Sequence, residues 1–257
     1  MNISLFKSGL SKSKLVMLIS YMTIVFLLFM MSCNKEEVNY GGPDESHILI
    51  RHFVDNESME FDTAKYYNAA GNNYAVENLN YYLSDLTFYT EDGRKIIDKR
   101  VHYINGRDSS TMSFYMKHTG IGHVTHFTAI LGVSTDSNIF GILPPTQSNQ
   151  NMLWPAIMGG GYHFMKFEGR FLSGSSYYGF AVHLGKNGFQ SQIHGNTDFY
   201  LAGRSHQLDL NINMNEVFNN PYSYDLDIDG NYTMGDSTLM KRISNNSVDI
   251  LSIHQNR

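Results

Sequence analysis

Apolar and polar residues alternate over several short stretches of this chain, a pattern typical of half-buried β-strands. The clearest example is the segment 206–214, in which the inward positions are Leu208, Leu210, Ile212 and Met214. Every second position in that segment is polar, so one face of the strand is expected to meet a core and the other to meet water.

The segment 79–89 also alternates, but its apolar residues change parity between Leu83 and Leu86. A β-bulge inserts one extra residue into a strand, and one placed near Ser84 and Asp85 would produce this change. The sequence therefore predicts a single bent strand here.

Turn residues (Gly, Asn and Asp) separate these strands from further ones, which are expected at 47–54, 94–98, 112–118, 123–133, 162–171 and 177–185. Helical periodicity is weak, and the one longer helix is expected at 236–254. Many short strands with turns between them predict an all-β fold, an antiparallel β-sandwich or barrel-like domain with short helices.

The N-terminal segment has the pattern of a secretory signal. Three lysines precede an apolar run from Leu15 to Met31. That run is shorter than the roughly 20 residues typical of a membrane-spanning helix. It ends at Cys33, the single cysteine of the chain, in a context that resembles a bacterial lipobox. We therefore expect a signal peptide at 1–32, a lipidated Cys33 with a flexible tether at 33–46, and a folded domain at 47–257.

The residues after Cys33 refine the expected location. Residues 34–37 (Asn-Lys-Glu-Glu) resemble the tag that follows the lipidated cysteine in surface-exported lipoproteins of Bacteroidota. We expect a lipid anchor in the cell outer membrane, with the domain facing the cell surface or the periplasm. The whole chain has a net charge of −5, and removal of Lys7, Lys12 and Lys14 with the signal leaves −8. This acidic balance argues against nucleic acid as a partner.

The only tryptophan lies in an unusual stretch, "LWPAIMGGGYHFMKFEG" at 153–169. Pro155 keeps Trp154 out of the helical region, and the three glycines at 159–161 permit positive φ. An irregular loop at 154–161 is therefore expected to lead into a strand. Strict alternation in that strand places Lys166 and Glu168 towards water and His163 on the opposite face.

The neighbouring strand, 177–185, carries the small residues Gly179 and Ala181 on the same face as His183. The missing side chains leave room for a bulky group. We expect the loop to fold Trp154 over Gly179 and Ala181, close to His183.

Four segments, in this order, resemble the copper-binding protein MbnP-like domain family: "YYLSDLTFY", "HFTAILGV", "W…GGGYHFMKFEG" and "FAVHLG". The resemblance covers residues from about 47 to the C-terminus. It implies a β-rich domain that binds a single copper(I) ion. In some members a di-haem peroxidase partner oxidises a tryptophan to kynurenine, which helps to hold the metal. A partner of that kind, or an outer-membrane receptor, is therefore expected. The resemblance makes Trp154 the candidate for this role, and the alternative of an unmodified core or pocket aromatic stays open.

The residue supply agrees with copper. Cu(I) is a soft ion that accepts few ligands, imidazole and thioether among them. Three of the resembling segments contain His126, His163 and His183, which become the candidate ligands, with His183 first because "HLG" matches best. A histidine in a strand is more commonly an ordinary hydrogen-bonded residue, and that alternative stays open for each.

A second metal is suggested by "DLDIDGNYTMGD" at 225–236, which follows the calcium-loop pattern. Its candidate ligands are Asp225, Asp227, Asp229, Asn231 and Asp236. The alternative is a strand that ends in an Asp-Gly turn, and an aspartate stands where calcium loops normally carry a glutamate.

No catalytic motif stands out in the sequence: there is no Gly-x-Ser-x-Gly elbow, phosphate loop or His-Glu-x-x-His. We therefore expect a protein that is not an enzyme. The alternative function is a surface lipoprotein that binds glycan or another macromolecule through exposed aromatic residues, since tyrosines are abundant. Clustered imidazoles beside Trp154 would favour the metal, and a coplanar strip of exposed rings would favour the glycan.

Overall fold

The computed structural model describes residues 44–118, 122–202 and 206–256, and within them the strands form two sheets. The expected signal peptide, Cys33 and the tether up to residue 43 lie outside the described residues. The larger sheet, as far as described, comprises β3 (Tyr66–Tyr67), β4 (Asn73–Thr90), β5 (Lys95–Asn105), β7 (Gly122–Leu131), β8 (His163–Ser173), β9 (Ser176–Gly185) and β10 (Ser191–Leu201). The smaller sheet, in the same residues, comprises β1 (Glu45–Val54), β2 (Glu57–Ser58), β6 (Ser113–Lys117), β11 (His206–Asn213) and β12 (Leu251–Asn256). The fold is an all-β, mainly antiparallel sandwich, as predicted.

Strand β4 is the centre of the larger sheet, whose hydrogen-bonded order is β10-β7-β4-β8-β9. β7 and β8 pair with successive parts of one edge of the long strand β4, and β5 pairs with its other edge. The register of β4 against β5 shifts between Ser84 and Leu86, and Asp85 has φ 53°. This is the bulge that the parity change predicted. Successive residues Tyr81, Tyr82 and Leu83 are all buried, because β4 is covered on both faces.

The smaller sheet contains one departure from the antiparallel expectation. β1 pairs in parallel with β11, so that Ile48 lies opposite Leu208, while β2, β6 and β12 pair antiparallel. The inward side chains of both sheets share one hydrophobic core. A buried polar contact joins the sheets, because Nε2 of His52 on β1 lies 2.8 Å from Oη of Tyr81 on β4.

The C-terminal prediction was wrong in part, because a helix covers only α2 (Ser237–Asn246) and the chain then forms β12. Asp236 caps α2 by accepting hydrogen bonds from the backbone N–H groups of Thr238 and Leu239. After the helix, Leu251 and Ile253 are buried and alternate with exposed residues, which is the period of a strand rather than of a helix.

The chain between β7 and β8 positions the site. It contains a short helix, α1 (Gln147–Asn151), and a 3₁₀ turn at Ala156–Met158. Thr146 caps α1 through its side-chain oxygen. Among the helices in the described ranges, none is long and apolar enough to cross a membrane.

Candidate metal centre

The loop that carries Trp154 is built as the sequence predicted. Gly159, Gly160 and Gly161 have φ values of 113°, 70° and 85°, which an L side chain rarely adopts. These glycines return the chain so that the backbone N–H of Trp154 donates to the carbonyl of Gly161 at 2.9 Å. The indole is buried, with 2% of the residue exposed, and its Nε1 donates to the carbonyl of Met158 at 3.3 Å.

A β-bulge at the start of β8 determines where His163 points. His163 pairs with Gly185, whereas Met165 pairs with Leu184, so the register against β9 shifts between them. The extra residue reverses the side-chain parity. His163 therefore lies on the same face as Lys166 and Glu168, and the sequence-based assignment to the opposite face was wrong.

The bulge brings two imidazoles together. His183 pairs directly with Lys166 across the two strands, and its ring centroid is 5.1 Å from that of His163, with the rings perpendicular. The indole of Trp154 also lies against His163, with centroids 4.7 Å apart. His163, His183 and Trp154 thus form one contiguous group.

The indole of Trp154 covers Gly185, and the prediction that it covers Gly179 and Ala181 was wrong. A β-carbon at Gly185 would lie 2.7 Å from Cδ2 of Trp154, so the ring occupies the space that Gly185 leaves free. Gly179 and Ala181 lie further along the same face, where Gly179 is exposed and Ala181 is partly exposed, and another segment pairs with the edge of β9 beside them. The backbone N–H of Ala181 donates to the carbonyl of Asn231 at 2.7 Å, and Tyr232 lies next to Gly179.

Each imidazole has one nitrogen directed at an oxygen acceptor. Nδ1 of His163 lies 3.3 Å from the carbonyl oxygen of Met152. Nε2 of His183 lies 2.6 Å from Oε1 of Glu168. Nδ1 of His183 is buried and has no hydrogen-bond partner in the part of the chain that the structure describes.

Burial and hydrogen bonding shift the pKa values of His163 and Glu168. Burial, together with the nearby charges of Lys166 and His183, lowers the pKa of His163 to about 3, so this imidazole is neutral near pH 7. The hydrogen bond from His183 is the main cause that lowers the pKa of Glu168 to about 2. A neutral imidazole has a lone pair available for a metal ion.

Comparison with known proteins agrees with the architecture. The family model for MbnP matches residues 44–236. The chain belongs to the MbnP family. Among solved structures it resembles MbnP from Methylosinus trichosporium, with 11% sequence identity and a TM-score of 0.54, over 84% of this chain and 100% of that one. At this identity the likeness shows the fold. Comparison with curated proteins gave no match.

The MbnP match contains Trp154 and all three candidate histidines, but His126 lies apart from the other two. His126 is on β7, where its ring stacks on Tyr89 at a centroid distance of 4.3 Å. Among the contacts of the described residues, none joins it to His163 or His183. His126 is exposed because neighbouring residues of a strand face opposite ways, and Phe127, the next residue of β7, points into the core.

Two polar neighbours of the group formed by His163, His183 and Trp154 were not identified from the sequence. Glu168 was expected only to face water, yet it accepts from His183. Thr233 accepts from the backbone N–H of His183 at 2.7 Å and donates to its carbonyl at 2.6 Å. Both contacts depend on which segments lie beside β9: β8 carries Glu168, and the chain at 231–233 carries Thr233. The only sequence signal was the shared parity of Lys166 and Glu168, which does not reveal the partner.

The predicted calcium loop has a different structure in this family member. Asp229 accepts two hydrogen bonds from the guanidinium of Arg242, at 2.6 and 3.0 Å. Hydrogen bonding to Arg242 is the main cause that lowers the pKa of Asp229. Asp236 caps α2, and Asn231 donates its amide to the carbonyl of Gly179. Across residues 44–118, 122–202 and 206–256, no group of three or more His, Cys, Asp or Glu is placed to hold a metal ion. The calcium prediction therefore has no support, because an arginine provides the positive charge that the ion would have supplied.

Proposed function

We propose that this protein binds one copper(I) ion, without catalysing a reaction, at the imidazoles of His163 and His183 beside Trp154. Membership of the MbnP family supports a non-catalytic, metal-binding role. The cluster of imidazoles beside Trp154 also favours a metal over the alternative of a glycan.

The observation that carries the proposal is the unpartnered Nδ1 of His183. A buried polar atom without a hydrogen bond costs about 1–3 kcal/mol, and the ring that carries this one lies 5.1 Å, centroid to centroid, from the imidazole of His163. A metal ion bound at Nδ1 would remove that cost.

The spacing of the rings fits a shared ion. Two imidazoles bound to one ion at about 2 Å per bond have centroids no more than roughly 6 Å apart. The centroids of His163 and His183 lie within that limit, so the spacing of the rings is compatible with one shared ion.

The number and type of ligands favour copper(I). Structural zinc sites use four ligands and Cu(II) prefers a tetragonal set of nitrogen and oxygen ligands. Two imidazoles under the apolar indole of Trp154 offer few ligands and little water, which suits a soft ion of low coordination number.

Oxidation of Trp154 belongs to the same proposal. A kynurenine at position 154 would provide oxygen and nitrogen donors next to His163, and a di-haem peroxidase-like partner would supply the oxidation. Mass spectrometry of the tryptic peptide that contains Trp154, from protein isolated from the native host, tests this. An unmodified peptide from copper-loaded protein would assign Trp154 to packing alone.

We further propose that acylated Cys33 anchors the protein in the outer membrane, with the domain facing the cell surface or the periplasm. The basic residues, apolar run and lipobox-like end of the N-terminal segment support this location.

The function is tested with His183→Ala. We expect copper(I) affinity, measured anaerobically by competition with a chromophoric copper(I) chelator, to fall by orders of magnitude while the circular dichroism spectrum is retained. The matched control is His126→Ala, which removes a histidine outside the site and should leave the affinity unchanged. Parental affinity in His183→Ala would refute the proposed site.

A further inference from the structure

We propose that Glu168 is the positioning residue of the site, because it fixes the tautomer and the orientation of His183 so that Nδ1 faces the metal. This inference rests on the proposed function for its metal, but its first test uses the metal-free protein.

The tautomer follows from the chemistry of the two groups. A carboxylate at neutral pH only accepts hydrogen bonds. Nε2 of His183, 2.6 Å from Oε1 of Glu168, must therefore carry the proton. In the neutral ring the lone pair is then on Nδ1, which is the buried atom without a partner.

Glu168 is itself held by a directed chain of hydrogen bonds. Asn78 donates from Nδ2 to Oε2 of Glu168 at 2.8 Å, and Asn80 donates from Nδ2 to Oδ1 of Asn78 at 2.6 Å. Tyr103 donates its hydroxyl to Oδ1 of Asn80 at 2.7 Å. The orientation of the Asn78 amide is set by the carboxylate, which needs a donor. The chain therefore fixes Glu168 through Oε2 across β5, β4 and β8, which leaves Oε1 directed at His183.

The backbone of His183 is fixed separately. Thr233 is fully buried, and its hydroxyl bonds both the N–H and the carbonyl of His183. With the backbone held, the remaining freedom of the residue is the rotation of its ring. The bond to Glu168 is the contact that restricts this rotation.

His163 has a complementary arrangement. Its Nδ1 faces the carbonyl oxygen of Met152, which also only accepts, so its lone pair is on Nε2. The two rings thus offer opposite nitrogens, Nε2 of His163 and Nδ1 of His183. A backbone carbonyl sets the first and the side chain of Glu168 sets the second, so only the second can be changed by substitution.

The conservative variant Glu168→Gln should preserve the tautomer. The amide oxygen of the introduced glutamine can accept from Nε2 of His183, and its amide nitrogen then faces Asn78. Asn78 and Asn80 can both reverse their amides, and Tyr103 can accept instead of donate. The whole chain is then satisfied in the opposite direction. Glu168→Ala has no acceptor at this position.

The first measurement is the tautomer of His183 in metal-free protein above neutral pH, by long-range proton–nitrogen correlation NMR on histidine labelled with nitrogen-15. We expect a single Nε2–H form in the parent and in Glu168→Gln. Glu168→Ala should show a substantial Nδ1–H population. A parent in the Nδ1–H form, or an unchanged tautomer in Glu168→Ala, would overturn the proposal, and the parent spectrum alone decides if Glu168→Ala fails to fold.

The second measurement is copper(I) affinity by chelator competition. Loss of an outer partner of a metal-binding histidine typically costs about 10–100-fold in affinity, so we expect a fall of that size for Glu168→Ala and near-parental binding for Glu168→Gln. The matched control is Glu77→Gln, which alters a carboxylate paired with Arg170 and not with a histidine. An equal loss in both Glu168 variants would contradict a positioning role. Failure of the parent to bind copper would refute the proposed function and leave the tautomer result standing.

Discussion

The indole of Trp154 lies directly over Gly185, in the space that a β-carbon at that position would need. Gly185 follows His183 by two residues on the same face of β9, and it pairs with His163 across the bulge. The absence of one side chain therefore lets the tryptophan reach His163, which in turn lies against His183.

We expect Gly185→Ala to displace the indole and to destabilise the domain by about 1–3 kcal/mol, the usual cost of overpacking a tight contact. Trp154 is the only tryptophan, so its fluorescence reports the displacement directly, and thermal unfolding reports the stability. The matched control is Gly179→Ala, because a β-carbon there meets Oη of Tyr232 at an ordinary 3.5 Å. Equal effects of the two substitutions would show that the indole does not depend on Gly185.

The stability of the fold should decrease in acid partly through His52. Burial lowers its pKa from about 6.5 to about 4, so as the pH falls the unfolded chain takes up the proton first. The stabilisation is complete above pH 6.5 and is lost as the pH falls towards 4. A shift of this size corresponds to roughly 3 kcal/mol, measured by urea unfolding at a series of pH values.

His52→Gln isolates this contribution, because glutamine carries a hydrogen-bonding group for Tyr81 and does not titrate in this range. Its free energy of unfolding should fall less steeply between pH 6.5 and 4 than that of the parent. Parallel curves would exclude His52 as the titrating group.

Calcium should not stabilise the protein. Asp229 is already neutralised by Arg242 and Asp236 is occupied at the N-terminus of α2. We therefore expect the same melting temperature, within error, in excess calcium and in excess chelator. A rise in calcium that Asp227→Ala combined with Asp229→Ala abolishes would restore the calcium loop.

Cys33→Ser should release the protein from the membrane fraction, because the serine hydroxyl cannot receive the thioether-linked lipid. The measurement is fractionation of cells that express the full-length chain, with Ser32→Ala as a control that keeps the thiol. Unchanged membrane association of Cys33→Ser would favour a transmembrane anchor in the N-terminal segment.

The two bulges show what the sequence can and cannot predict. The bulge at Asp85 was predictable because the apolar positions of the sequence change parity around it. The bulge at the start of β8 was not, because His163, Phe164 and Met165 are all buried and a run of buried residues has no parity to change. The error placed His163 on the wrong face.

Strand β10 was missed for a related reason. Several of its inward positions hold Ser191, Gly195 and Thr197 in place of large apolar residues, and Gly195 is required because Phe127 lies against it. A strand that receives its neighbour's side chains shows little hydrophobic periodicity of its own.

The pairing of Glu168 with His183 could not be predicted for another reason, since it depends on cross-strand register, which is a property of two segments together.

The parallel pairing of β1 with β11 also orders events during folding. Ile48 has Phe114 on one side and Leu208 on the other, so its second neighbour lies much further along the chain than its first. Contacts between such distant residues form slowly. Until β11 joins the sheet, β1 exposes one unpaired edge beside apolar side chains, a template for pairing with other chains. Forms of the chain in which β11 has not yet paired are therefore the ones that most need a chaperone.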